Sequence, residues 1–220
     1  NEGWADGHHW DIEYWEIWNE PDISPEDAEH KPTWGGTKAE FFDFFEVGAR
    51  HLKNRFPNLK IGGPATAGAS DWLESFIIDM NKRKIHLDFV SWHLYGFDIK
   101  FLVDRAEFVR NILDENGYEK TESICNEWNY IRGWVGDQYN YSSKTMRNLK
   151  GSSFIAGIMC AGQHEPIDML MYYDTRPSVF NGAFDFYTYR RLKGYYPLYW
   201  YGMFYDMAKE IPSANKIENI

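Results

Sequence analysis

The feature that most constrains this fold is a repeated alternation of strand-like and helix-like segments along the 220-residue chain. Short runs rich in β-branched and aromatic residues predict strands, and the amphipathic stretches between them predict helices. The predicted strands cover 11–20, 59–63, 87–95, 122–128 and 167–173, and the predicted helices cover 38–56, 72–83, 104–116, 143–162 and 197–210. This alternation indicates an α/β protein with a parallel sheet.

Local signals place several of these boundaries. Thr37 with Glu40 three residues later forms a capping box, which predicts the start of the first helix. Gly117 is expected to end the third helix. Pro21 ends the first strand and is expected to hold Glu20 in an extended conformation.

Composition narrows the classes of partner. The chain has 33 acidic against 23 basic side chains and a net charge of −10, which argues against a nucleic-acid or anionic-membrane partner. Cys125 and Cys160 form neither a disulfide framework nor a metal-ligand spacing. His8 and His9 are adjacent and lack a third ligand, so no metal and no cofactor is predicted. Aromatic residues reach 18% of the chain, and such rings commonly hold the apolar faces of sugars, although most must pack in the core.

Two glutamates fall at the ends of predicted strands. Glu20 ends the first strand and Glu127 the fourth, each directly after an asparagine and among tryptophans. In parallel α/β barrels the chemistry lies at the C-terminal ends of the strands. Retaining hydrolysis of a glycosidic bond needs two carboxyl groups about 5–5.5 Å apart, one protonated and one ionised. A lone glutamate there would be read as a solvated loop charge, but this pair predicts a glycosidase site.

The residues around both glutamates resemble a known family. YWEIWNEPD is similar to the acid/base strand, and ICNEWNY to the nucleophile strand, of (β/α)8 glycoside hydrolases with catalytic glutamates on strands four and seven. With LKIGGPA and SWHLYG between them, the chain over about 1–205 looks most like glycoside hydrolase family 39. The resemblance implies a retaining, β-xylosidase-like enzyme that acts on glycosides, with Glu20 as acid/base and Glu127 as nucleophile. By family analogy it also implies a secreted or periplasmic location.

Other site residues follow from the same resemblance. Asn19 matches the asparagine that binds the sugar 2-hydroxyl. His93 and Tyr95 match a pair at the end of strand six, where the tyrosine orients the nucleophile and the histidine contacts sugar or acid/base. The chain departs from the family at strand eight, where Tyr172 and Tyr173 replace a tryptophan that forms the floor of the sugar site. Either tyrosine could supply that platform.

Trp34, in the loop after the first strand, is a candidate outer contact with substrate, and ordinary loop packing would explain it equally well. Two alternatives to a β-xylosidase remain open. One is a glycosidase of the same superfamily that acts on galactosides, arabinosides or uronides. The other is a non-catalytic carbohydrate-binding protein on this scaffold, which the presence of both glutamates and Asn19 disfavours.

The five predicted strands correspond to strands four to eight of a TIM (β/α)8 barrel. We therefore expect a partial barrel that lacks the N-terminal strands, with 1–210 as the C-terminal part of a catalytic barrel. Residues 211–220 would then be a linker toward a following domain. Strands 11–20 and 167–173 would present unpaired edges, which favours self-association, and the isolated chain is expected to have little activity.

Overall fold

The computed structural model describes residues 10–68, 70–178, 180–207 and 209–211. Five parallel strands form one curled sheet in which spatial order follows chain order. The strands are β1 (Tyr14–Glu16), β2 (Lys60–Thr66), β3 (Phe89–Gly96), β4 (Glu122–Tyr130) and β5 (Met169–Tyr172). The helices are α1 (Lys38–Arg55), α2 (Ser70–Lys82), α3 (Lys100–Glu115), α4 (Gly136–Met146), α5 (Leu149–Gly162) and α6 (Tyr195–Gly202). The prediction of a partial α/β barrel is confirmed.

The main core lies between the sheet and the helices that cover it. Helix α1 begins with the predicted capping box, in which Thr37 accepts from the Glu40 backbone and Glu40 accepts in return. Its buried face carries Phe41 and Phe45, both without solvent exposure. Because this layer fixes the helices against the sheet, the C-terminal ends of the strands can hold polar side chains in defined positions.

The first predicted strand is much shorter than expected, because β1 stops at Glu16. Beyond it the backbone is irregular, with φ values of 72° at Trp18 and 48° at Glu20. The expectation that Pro21 keeps Glu20 extended is therefore wrong. Pairing with the neighbouring strand region overrides that local preference, since the Glu20 N–H donates to the Ala65 carbonyl at 2.9 Å.

Three helices also differ from their predicted bounds. The predicted helix 143–162 is two helices, because the Asn148 side chain accepts from the N–H groups of Lys150 and Gly151 and so starts a new helix there. Helix α3 begins four residues earlier than predicted, and α6 covers 195–202 instead of 197–210. Gly117 does follow the end of α3, with a φ of 77° that glycine adopts easily.

Among the described strands, β1 and β5 each have a neighbour on one side, so the two predicted edges are present. Across the residues that the structure describes, every helix is too short or too polar to cross a bilayer. His8, His9 and 212–220 lie outside the described residues, and the division into 1–210 and a 211–220 linker stays a prediction.

Candidate active site

A β-bulge sets the position of Glu127. Along the β3–β4 pair Trp92 faces Cys125, and the next pair is His93 with Glu127. Asn126 is therefore an extra residue on β4. Because side chains alternate between the two faces of a strand, a pairing without this extra residue would place Asn126 beside His93 instead. The bulge is what brings the Glu127 carboxylate next to the His93 ring.

Three ionisable groups meet at this end of the sheet. The Nδ1 atom of His93 lies 2.8 Å from Oε1 of Glu20 and 3.6 Å from Oε2 of Glu127. One ring nitrogen of His93 and one oxygen of each carboxylate all lie within 4.8 Å of one another. The His93 side chain is fully buried, and the two carboxylates are about four-fifths covered. This close spacing is what a retaining pair requires, whereas inverting enzymes hold their carboxyls about 6.5–9.5 Å apart.

Tyr95 acts on the Glu127 carboxylate. Its hydroxyl donates to Oε2 of Glu127 at 2.6 Å. Burial, together with the negative charge of Glu127, raises the pKa of Tyr95 well above its ordinary value. The phenol therefore stays neutral at physiological pH and remains a donor. This hydrogen bond fixes the orientation of the Glu127 carboxylate.

The irregular backbone after β1 positions two consecutive side chains at the same site. Trp18 and Glu20, the residues on either side of Asn19, have positive φ values. Residues other than glycine rarely adopt this part of conformational space. In a regular strand Asn19 and Glu20 would point to opposite faces. Here both line one cavity of about 410 Å³, which also contains Tyr95 and Glu127. Backbone strain of this kind is frequent where catalytic groups must be held in place.

Aromatic rings form one wall of this cavity. Trp134 meets the Tyr95 ring edge-on at 5.1 Å, and Phe180 lies 6.1 Å from Trp134 and 6.0 Å from Tyr173. Ile23 and Ala67 complete the lining. Sugar rings present apolar C–H faces that stack on such walls, so the cavity combines an aromatic surface with two carboxylates. Sequence reasoning missed Trp134; its place shortly after β4, which carries Glu127, was an available signal.

The two tyrosines that were predicted as candidate platforms occupy different positions. Tyr173 lines the cavity, whereas Tyr172 lies behind it, with its ring against Trp128 at 5.1 Å and its hydroxyl accepting from the Gly182 N–H. Burial raises the pKa of Tyr172 to about 12. Asn129, also missed by sequence reasoning, donates to the carbonyls of Tyr173 and Phe180, both at 2.7 Å, and so fixes that part of the wall.

Trp34 lies outside this cavity. Its ring packs against Trp18 at 5.4 Å, Phe41 at 5.2 Å and Phe44 at 5.4 Å, and its N–H donates to the Thr37 carbonyl. It lines a neighbouring cavity in the loop after Glu20. The predicted outer contact thus lines a neighbouring cavity and is not part of the wall around the two carboxylates.

A third carboxylate, which the sequence did not single out, lies close to the pair. Both oxygens of Glu16 accept from the Asn126 amide, at 2.9 and 3.0 Å. Part of the residue is exposed to solvent. The loss of water around its carboxylate nevertheless raises the pKa of Glu16, and the charge of Glu127 adds to this effect. The Asn126 amide thus ties the bulge of β4 to the end of β1.

Among the described residues, Glu20, His93 and Glu127 are the group with the right donor atoms to hold a metal ion. All three already contact one another or Tyr95, and the close pair of carboxylates has its own chemical use. An acidic cluster alone does not establish a metal site, and the absence of a metal stays a prediction.

Comparison with known proteins gives four informative matches, two in sequence and two in structure. Residues 3–119 match Glycosyl hydrolases family 39. A "Beta-xylosidase" of Geobacillus stearothermophilus is 40% identical over 83 residues, which are 36% of this chain and 15% of that protein. The matched family segment contains Glu20 and ends before Glu127, so the place of Glu127 in the site rests on the geometry above.

Two solved structures share the fold. The GH39 β-xylosidase from Caulobacter crescentus has a TM-score of 0.69 at 20% identity, covering 86% of this chain and 41% of that one. The glucosidase from Croceicoccus marinus has a TM-score of 0.60 at 26% identity, covering 77% of this chain and 34% of that one. The chain thus spans less than half of the length of each of these three relatives.

Proposed function

Because this chain belongs to glycosyl hydrolase family 39, we propose that it carries the catalytic pair of a retaining glycosidase that cleaves β-xylosides. The observation that carries the proposal is the Glu20–Glu127 arrangement, with one oxygen of each carboxylate within 4.8 Å at the C-terminal ends of two strands. The 40% identity to a protein named β-xylosidase favours xylose over other sugars.

In the proposed reaction, Glu127 attacks the anomeric carbon while Glu20 gives its proton to the departing glycosidic oxygen. The bond between that carbon and oxygen breaks, and a covalent glycosyl–enzyme ester forms on Glu127. Glu20, now ionised, removes a proton from water, which attacks the anomeric carbon and releases the sugar. Two inversions at the same carbon give net retention, and both glutamates return to their starting protonation states.

The surroundings of each glutamate support these roles. The Tyr95 hydroxyl donates to Glu127 and so orients the carboxylate that is proposed as the nucleophile. Nδ1 of His93 lies 2.8 Å from the Glu20 carboxyl, so a buried ring holds the proposed acid/base in place. Asn19 lines the same cavity and is proposed to bind the sugar 2-hydroxyl, a contact that strengthens in the transition state.

A turnover assay with stereochemical analysis tests this proposal. The complete gene product should hydrolyse an aryl β-xyloside faster than the matching glucoside, galactoside, arabinoside or uronide. Proton NMR at early times should show β-xylose as the first product, because the double displacement retains configuration. First appearance of α-xylose would contradict retention. Binding of xylosides without turnover would instead favour the non-catalytic carbohydrate-binding alternative, which the close pair of carboxylates disfavours.

We also propose that this 220-residue chain self-associates through its sheet edges. The edge strands β1 and β5 expose Trp15 by 47% and Met171 by 45%, and edge N–H and C=O groups can pair with another chain. Sedimentation velocity of the chain at micromolar concentration should show a dimer. A Met171→Lys variant should shift it toward monomer, because a charge on an edge strand opposes pairing. Val47→Lys, on the exposed face of α1, is the matched control, and a monomeric parent chain would overturn the proposal.

A further inference from the structure

A second cavity lies directly beside the proposed catalytic one. It has a volume of about 390 Å³ and is lined by the loop 21–26, by Trp34 and Gly36, and by Lys38 and Trp72. Ile23 lines both cavities, so the two are neighbours that share a wall. The mechanism described above uses no residue of this second cavity.

The second cavity has the composition of a carbohydrate site. Trp34 and Trp72 are partly buried, which leaves part of each indole to line the cavity. Trp72 is held by stacking on Phe76 at an interplanar angle of 14° and by edge contact with Phe42. An indole fixed in this way offers a flat surface to the C–H face of a sugar ring with little loss of side-chain freedom.

Polar groups for sugar hydroxyls accompany these rings. The Lys38 ammonium lies 3.5 Å from the Ser75 hydroxyl, a contact that uses one of its three N–H donors. The Glu26 carboxylate accepts from the backbone N–H of Lys38 at 2.6 Å, and a carboxylate has further acceptor positions. Each hydroxyl of a neutral sugar can both accept and donate a hydrogen bond. A donor and an acceptor beside an aromatic surface therefore suit such a ligand.

The loop that forms the cavity is held in place by contacts to the next βα unit. The Asp22 carboxylate accepts from the N–H groups of Ala67 and Gly68, at 2.8 and 3.3 Å. The Thr33 hydroxyl donates to the Glu20 carbonyl at the start of the loop. The shape of the cavity is therefore set before a ligand binds, and it is set relative to Glu20.

We propose that this second cavity binds the leaving-group sugar, the ring on the far side of the scissile oxygen. The inference rests on the proposed function. The acid must contact the glycosidic oxygen, so the ring beyond that oxygen lies past Glu20 and away from Glu127. The loop 21–26, which follows Glu20 directly, lines the second cavity, whereas the aromatic wall near Glu127 belongs to the first. A glycoside with a sugar leaving group would therefore occupy both cavities.

Substrates that differ in the leaving group test this assignment in the complete gene product. The quantity to compare is kcat/KM for xylobiose divided by kcat/KM for an aryl β-xyloside. Trp72→Ala should lower this ratio about 10-fold, since it removes the indole surface. Lys38→Met keeps the length of the side chain and removes its donors, and should lower the ratio about 3- to 10-fold. Trp200→Ala, at an exposed indole of α6 outside both cavities, should leave the ratio unchanged.

Thermal unfolding of each variant checks that it is folded, and Lys38→Met serves as the second test because its side chain is not part of the core. An unchanged ratio in both variants, with a parent protein that hydrolyses both substrates, would overturn the leaving-group site and leave the proposed function standing. A parent protein that hydrolyses neither substrate would overturn the proposed function, and the leaving-group site with it.

Discussion

Replacing Glu127 by glycine in the complete protein should lower kcat for every glycoside by a factor on the order of 10⁴ or more, because no covalent intermediate can then form. The loss should be equally severe for activated aryl xylosides and for natural substrates, since both require the nucleophile. Steady-state assays across a series of aryl β-xylosides measure it. The Tyr95 hydroxyl, which contacts Glu127 at 2.6 Å, would lose its partner. The fold should survive, because the Glu127 carboxylate lines a cavity and is not part of the hydrophobic core.

Azide provides a second measurement on the same variant. With the Glu127 side chain removed, azide can attack the anomeric carbon from the vacated face in a single displacement. The product from a β-xyloside should therefore be the α-xylosyl azide. Glu119→Gly, at an exposed turn position before β4, is the matched control and should retain normal turnover. A Glu127→Gly enzyme that keeps more than about a tenth of its activity would remove Glu127 from the nucleophile role.

The sequence predicted that Glu20 and Glu127 gather at one end of the sheet because that part of the outcome depends on topology. Alternating strands and helices make a parallel sheet, and residues at the C-terminal ends of parallel strands gather at one edge. Glu20 follows β1, Glu127 lies in the C-terminal part of β4, and His93 and Tyr95 lie between them on β3. The capping box at Thr37 was equally predictable, since it depends on residues three positions apart.

What the sequence did not predict depends on pairing between distant segments. The bulge at Asn126 exists only in the register of β4 against β3, and it decides which side chain faces His93. The positive φ of Glu20 goes with pairing to Ala65, against the local preference that Pro21 imposes. Local patterns carry no information about such pairing, so the backbone of the site was less predictable than its residues.

The same reasoning applies to the aromatic residues. Tyr172 and Tyr173 are adjacent and looked equivalent as platforms, but alternation along β5 and the packing of Trp128 place Tyr172 behind the cavity wall. Trp134 became part of the wall through its contact with Tyr95, across two different strand–loop units. An aromatic-rich composition predicts that such a wall can form, and three-dimensional packing decides which rings form it.

Replacing Glu20 by alanine should give a different pattern, in which the loss depends on the leaving group. A phenyl xyloside needs protonation of its oxygen and should lose about 10²- to 10⁴-fold in kcat/KM, the usual contribution of a positioned general acid. A 2,4-dinitrophenyl xyloside leaves without protonation, so the step that forms the glycosyl–enzyme should be nearly unaffected. Presteady-state kinetics should show a burst of dinitrophenol followed by slow turnover, because Glu20 is also the base that activates water.

Azide distinguishes this variant from the Glu127 variant. As an anionic nucleophile it needs no general base, so it should restore rapid turnover of the dinitrophenyl substrate and attack the glycosyl–enzyme. Two displacements then give the β-xylosyl azide, the opposite anomer from that expected with Glu127→Gly. Glu29→Ala, at an exposed position in the same loop, is the matched control and should behave like the unchanged protein. Equal losses for both leaving groups, or the α-azide from Glu20→Ala, would show that the two roles are wrongly assigned. The two carboxylates lie close together, so the leaving-group dependence and the anomer of the azide product are what separate acid from nucleophile.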